Sequence, residues 1–121
     1  MEKRLKENFL SYSRKLEYNL NMEKADEVYK IVSEIPSGKV MTYGQIGKIA
    51  RINPRLVGRI LHNNPDPENV PCHRAVNSRG DVAENYAFGG GTAQTQKLIR
   101  EGAEFAASRV NLKKSLYKRN H

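Results

Sequence analysis

Apolar positions in the first half of the chain recur at helical spacing, and each run ends at residues that stop a helix. Leu5, Phe9, Tyr12, Leu16 and Leu20 form a stripe through a charged stretch, so residues 1–20 read as a basic amphipathic segment, either packed as a helix or mobile. Val28, Ile31, Val32 and Ile35 share one face of a helix from Asn21 to Ile35, which Pro36, Ser37 and Gly38 end with a turn. Thr42 and Gln45 make a capping box ahead of Ile46 and Ile49. Asn53 caps the next helix, with Pro54 at its first position and Val57, Ile60 and Leu61 on its buried face. Residues 62–65, His-Asn-Asn-Pro, mark its end. Two short helices joined by a short turn have the outline of a helix-turn-helix.

Beyond Pro65 the pattern changes. Val70 to Val76 reads as an extended segment, residues 77–80 as a hairpin turn, and Asp81 to Ala83 as a return strand, the wing of a winged helix-turn-helix. After the glycines at 89–91 comes a helix from about Thr92 to Glu101, with Leu98 and Ile99 inward and Gly102 as its left-handed stop. A tail through Val110, Leu112 and Leu116 ends in the basic stretch Lys113 to Arg119. The fold class expected is mostly α with a small β-hairpin, residues 21–121 forming one domain behind the 1–20 segment.

Charge narrows the partners. Lys and Arg number 21 against 13 Asp and Glu in 121 residues, a formal charge of +8. Such a surplus favours a polyanion, because each phosphate neutralised releases condensed counterions; a plain solvated surface is the alternative. No apolar run is long enough to cross a bilayer, and charges interrupt any signal-peptide core, so a soluble, cytoplasmic protein is expected. One cysteine excludes an internal disulfide, and histidines at 62, 73 and 121 lack zinc-ligand spacing.

The lone cysteine stands in Pro71-Cys72-His73-Arg74. A free thiol is only a few per cent ionised at neutral pH, so a nucleophilic cysteine needs a base or a positive field. His73 offers the base and Arg74 the field. In an extended segment residues 72 and 73 point to opposite faces, so thiol and imidazole would communicate through water. A carboxylate is then needed to hold the imidazole in one tautomer.

PCHR, preceded by VMTYGQIGKIA and RLVGRILHNNP and followed by YAFGGG and LIREG, resembles the O6-alkylguanine-DNA alkyltransferase family over roughly residues 25–112. The resemblance implies that fold's C-terminal DNA-binding domain, double-stranded DNA containing O6-alkylguanine as partner, base flipping, irreversible alkyl transfer to Cys72, and no cofactor or metal. It implies that His73 acts through water, that Glu101 orients it, and that Asn64 supports the network. It makes Tyr43 a residue that rotates the target phosphate and lines the base pocket, and Arg55 the finger replacing the extruded base, with Arg59 also on the DNA-binding helix. Ala75 would offer its carbonyl and the loop at Ala87 an amide to the base, with Tyr86 the aromatic member of that loop. The family docks its helix-turn-helix in the minor groove.

The match also departs from the family. Residues 1–20 stand where complete transferases carry another domain, and the stretch between Tyr43 and Arg55 looks slightly short. That short stretch, and the end Glu101-Gly-Ala-Glu-Phe followed by Arg109-Val-Asn-Leu, resemble the smaller alkyltransferase-like proteins, which usually have Trp in place of Cys72, bind the lesion without repairing it and flag it for excision-repair proteins. A damage sensor is therefore the second reading, and a sequence-specific regulator reading the major groove the third. In all three, affinity for undamaged duplex is expected to fall steeply with salt. Titration across salt concentrations checks this, and a flat response would remove the basic surface from the DNA face.

Overall fold

The computed structural model describes residues 22–119, and the amphipathic segment expected at 1–20 lies outside this range. Helix α1 covers 22–33 and buries Val28, Ile31 and Val32, with Ile35 just beyond it. Strand β1 (Met41–Thr42) leads straight into α2 (Tyr43–Ala50), and α3 (Pro54–His62) follows. A 3₁₀ turn at Cys72–Arg74 continues into β2 (Ala75–Val76). Then come α4 (Gly90–Arg100), the strands β3 (Phe105–Ala106) and β4 (Arg109–Val110), and the single turn α5 (Leu112–Ser115).

Local chemistry sets the helix-turn-helix. Thr42 Oγ1 accepts from the Gln45 amide at 3.1 Å, and Gln45 Oε1 accepts from the Thr42 amide at 2.9 Å. Two orphan donors at the start of α2 are thus satisfied reciprocally, and losing such a cap costs about 1 kcal/mol. Asn53 Oδ1 does the same for the Leu56 amide at 2.8 Å, beside Pro54. Between the helices Arg51 adopts the left-handed conformation (φ 61°), which turns the chain sharply. Ile46, Ala50, Val57 and Leu61 then meet α1 in the larger core cluster, which also holds Cys72, Ala75 and Tyr86. Leu98, Val40, Val76, Ala103 and Val110 form a second cluster beneath the C-terminal segment.

The expected wing is absent among the described residues. Residues 77–80 do turn, with Gly80 N donating to Asn77 O at 3.0 Å, but residues 81–83 form no strand. Asp81 O still accepts from Asn77 N at 3.1 Å across the turn, but the pairing stops there: Ala83 N donates to the Gln94 side chain, and Gly80 O accepts from Val110 N. β2 pairs instead with β1, in parallel, with Met41 beside Ala75 and Thr42 beside Val76. The antiparallel hairpin lies further on, where Phe105 faces Val110.

Two further expectations are corrected. Val70 to Val76 is not extended throughout, because Pro71 precedes a tight turn in which Arg74 N bonds Pro71 O at 2.9 Å. Ile99 is 57% exposed while Leu98 is fully buried. Gln94 and Leu98, four residues apart, define the inward face of α4, and Ile99 lies about 100° round the helix from Leu98. No helix among the described residues is long and apolar enough to cross a membrane.

Gly47 is the tightest point of the helix-turn-helix. A Cβ there would stand 2.5 Å from the Ile52 carbonyl oxygen, a backbone atom that cannot rotate away. Gly47→Ala is therefore expected to destabilise the fold by about 1–3 kcal/mol, the range for overpacked sites, despite the better helix propensity of alanine. Urea unfolding measures it, and a midpoint unchanged or raised would contradict the packing.

Candidate functional site

Cys72 opens a turn of three residues per repeat, so successive side chains rotate by about 120° instead of alternating. The thiol therefore faces one way and His73 another, which separates the sulfur from the imidazole. Cys72 is 6% exposed and reaches a cleft of about 500 Å³. The cleft wall comprises Tyr43 from α2; Pro54, Arg55, Gly58, Arg59, Leu61 and His62 from α3; and Ala83, Asn85, Tyr86, Ala87 and Gln94. This volume lies within the usual range for a small-molecule pocket and admits a flat heterocycle. Arg55 and Arg59, one turn apart, are exposed on its rim.

Behind the wall, His73 Nε2 bonds Glu101 Oε1. Glu101 Oε2 accepts from Arg74 through both Nη2 and Nε, the latter at 2.8 Å, and from Ser37 Oγ at 2.9 Å. Arg74 also donates to Ile35 O at 2.7 Å, so its guanidinium serves the carboxylate and the end of α1 instead of facing the thiol. An acid at the C-terminal end of a helix is disfavoured by the helix dipole, and these partners compensate it. Burial pushes Glu101 upward, but the bonds from Arg74, His73 and Ser37 outweigh it and hold the carboxyl below its ordinary value. Burial is the main influence on His73 and holds its imidazole below the usual value; Glu101 opposes this, while Arg74 and Lys97 reinforce it. A neutral His73 with its proton on Nε2 donates to Glu101 and leaves Nδ1 as an acceptor.

The remaining sequence candidates fall into two groups. Tyr43, Arg55, Arg59, Tyr86 and Ala87 line the cleft with Cys72, whereas His73, Glu101, Asn64 and Ala75 stand behind it. Asn64 is buried and works on the backbone: its Nδ2 donates to Val70 O at 2.8 Å, and its Oδ1 accepts from Asp66 N at 3.0 Å. That same Val70 carbonyl accepts from Cys72 N at 2.7 Å, so Asn64 fixes the backbone leading to Cys72. The phenol of Tyr43 is raised above its usual value, by burial first and then by Cys72. Tyr86 meets Phe88 edge to face at 5.7 Å.

Sequence reasoning missed Gln94 and Lys97. Gln94 is 1% exposed; its Nε2 donates to the carbonyls of His73 (3.0 Å) and Ala75 (2.9 Å), and its Oε1 accepts from Ala83 N (2.9 Å). It ties the cysteine turn, β2 and the cleft loop together. Lys97 Nζ donates to the Tyr86 hydroxyl at 2.9 Å. A polar residue four positions before an inward leucine was the only signal for Gln94, and none marked Lys97.

Residues 23–103 match the family model described as 6-O-methylguanine DNA methyltransferase, DNA binding domain. The DNA base-flipping protein of Escherichia coli is 36% identical over 109 residues, covering 83% of this chain and 81% of that protein. The methylated-DNA–protein-cysteine methyltransferase of Methanocaldococcus jannaschii is 42% identical over 77 residues, 61% of this chain but 44% of the relative. Among solved structures, Schizosaccharomyces pombe Atl1 in complex with damaged DNA containing O6-carboxymethylguanine aligns with a TM-score of 0.70 at 34% identity, covering 80% of this chain and 96% of Atl1. With more than half of its length matched, the chain belongs to the 6-O-methylguanine DNA methyltransferase family.

Proposed function

We propose that this protein repairs DNA by moving the alkyl group of a flipped O6-alkylguanine onto Cys72, once per molecule. The observation that carries the reading is a buried thiol opening onto a base-sized cleft, with a neutral imidazole paired to a carboxylate directly behind it. Inside a duplex the O6-alkyl carbon is hidden by stacking, so sulfur needs the base turned out into the cleft. Arg55 on the rim would fill the vacated stack, and Tyr43 would guide the backbone and line the pocket. The Ala75 carbonyl, one lone pair of which Gln94 occupies, and the loop at Ala87 would hold the base edge.

In the transfer step a sulfur lone pair forms the S–C bond while the C–O6 bond breaks, its electrons remaining on oxygen. The thiol proton passes through water to His73 Nδ1, and the guanine anion takes up one proton at its ring nitrogen from solvent, to which the imidazolium then returns the thiol's proton. The imidazolium is stabilised by Glu101, which Arg74 and Ser37 hold in place. The thioether product is stable, so turnover ends there.

A second reading is supported by the relatives. The base-flipping protein and Atl1 are covered over most of their length, the methyltransferase over less than half. In that reading the protein binds the alkylated base and leaves repair to excision proteins. Intact-protein mass spectrometry after incubation with O6-methylguanine duplex separates the two. One methyl adduct on the Cys72 peptide and loss of the lesion are expected, and unmodified protein with intact lesion would establish the sensor.

The base must be neutral to act, which generates a pH prediction. An imidazole depressed on folding contributes stability that is present above its unfolded value of about 6.5 and is lost as pH falls through the folded value. The depressed Glu101 adds a further loss below the ordinary carboxylate value of about 4.3. Thermal midpoints are therefore expected to drop on acidification from about pH 6.5, and less so in His73→Gln. Parallel curves for the two proteins would contradict a neutral, buried His73.

A further inference from the structure

We propose that a basic groove on the far side of α2 grips the phosphate backbone of a second DNA segment while the helix-turn-helix face holds the first. The proposal rests on that face holding a duplex, and not on alkyl transfer at Cys72. The groove has a volume of about 630 Å³ and shares no lining residue with the cleft. Met41 is buried and Ile49 half-buried, so they form its floor, while Lys48, Arg51 and Lys118 are exposed on its rim. Arg119 and Gln45 complete it.

Two segments far apart in sequence build this groove. At about 100° per residue, Gln45, Lys48 and Ile49 lie roughly 140–240° round α2 from Tyr43, which lines the cleft. The groove therefore faces away from the cleft. Beside it the C-terminal segment is laced to the residue before β1: Val40 N donates to Ser115 O at 2.9 Å, and Tyr117 N to Val40 O at 2.7 Å. That lacing brings Lys118 and Arg119 against α2. Arg119 is engaged, its Nε pairing with Glu34 at 3.2 Å. Lys48, Arg51 and Lys118 have no carboxylate partner among the described residues, and no acid among them lines the groove.

Two features set the groove apart from a plain solvated surface. The C-terminal end of α2 stabilises Lys48 and Arg51 through its dipole, but does not account for Lys118 converging on them from another segment. Arg51 holds φ 61°, where glycine is the unstrained choice, yet a cation stands there. Like charges gathered without a counter-charge repel, and a polyanion relieves that repulsion while releasing its own counterions. DNA fits better than an acidic protein. Gln45, the groove's neutral polar side chain, has its carbonyl on the Thr42 amide at 2.9 Å and its NH2 on the Tyr117 carbonyl at 3.4 Å. Recognition is left to charge, which suits a uniform row of phosphates, and membership of a DNA-binding family makes DNA the polyanion at hand. A protein holding two segments can pass from one to the other without release, which shortens a search for rare lesions.

The test mixes the full chain with two short undamaged duplexes, one immobilised and one fluorescent. Retention of the fluorescent duplex is read, and sedimentation gives the composition of the complex. Two duplexes per protein are expected, with retention falling roughly fortyfold between about 50 and 200 mM salt, the scale for three phosphate contacts. Lys48→Gln/Arg51→Gly/Lys118→Gln should lower retention by about tenfold or more and still bind one duplex. If that variant fails to fold by circular dichroism, Lys48→Gln/Lys118→Gln takes its place under the same criteria. Equal loss in the control Lys30→Gln/Arg79→Gln/Arg100→Gln, whose side chains are exposed outside both the cleft and the groove, would overturn the proposal. So would one duplex per protein throughout, two proteins joining two duplexes, or polyglutamate binding at the groove without bridging. No duplex bound at all would remove the helix-turn-helix face as well.

Discussion

The half-hidden carboxylate of Glu101 is the constraint around which the rest of the molecule is arranged. An ionised group removed from water is costly unless it is paired and fully hydrogen-bonded. Here the chain supplies partners from two regions: Ser37 after α1, and His73 and Arg74 in the cysteine turn. Because Arg74 also holds the Ile35 carbonyl, the carboxylate joins α1, the turn and the end of α4 at one point. Its structural and chemical duties are therefore inseparable. The network that anchors α4 also fixes the imidazole's tautomer.

Gln94 complements it on the apolar side. A primary amide can donate twice and accept, and at a buried position each of those capacities has to be met. Gln94 meets them with backbone groups from the turn, from β2 and from the cleft loop. Backbone positions in the turn, the strand and the loop that follow Cys72 are consequently set by one side chain, which no single local interaction within the turn could achieve.

What was legible in the sequence was what is local. Thr42 with Gln45, and Asn53 with Pro54, act within a few residues of themselves, and both caps form as the pattern indicates. The apolar spacing of α1, α2 and α3 likewise gave their buried faces. The β2 partner was not legible, because a two-residue strand carries no register of its own and its neighbour lies more than thirty residues away. Alternation through Val70 to Val76 gave way to the turn after Pro71. Ile99 was misassigned because hydrophobicity alone does not distinguish adjacent positions at the edge of a helix face. At the site, Cys72, His73 and Glu101 emerged through a recognisable motif, whereas Gln94 and Lys97 have roles that exist only once α4 is docked on the turn.

Gly47 bears on how the protein and its nucleic acid share distortion. The turn backbone packs directly on α2 with no side chain between, and Arg51 holds the chain in a left-handed bend. Such a contact has little slack, so α2 and α3 move as one body. Were the two helices to enter a DNA groove, the stiffer element would be the protein, and compliance would come from the duplex. Groove widening and loss of stacking then fall on the base steps, where a modified or weakly paired base yields most readily. On the proposed reading, a glycine that permits close packing thereby makes the mechanical weakness of the lesion itself part of what is recognised.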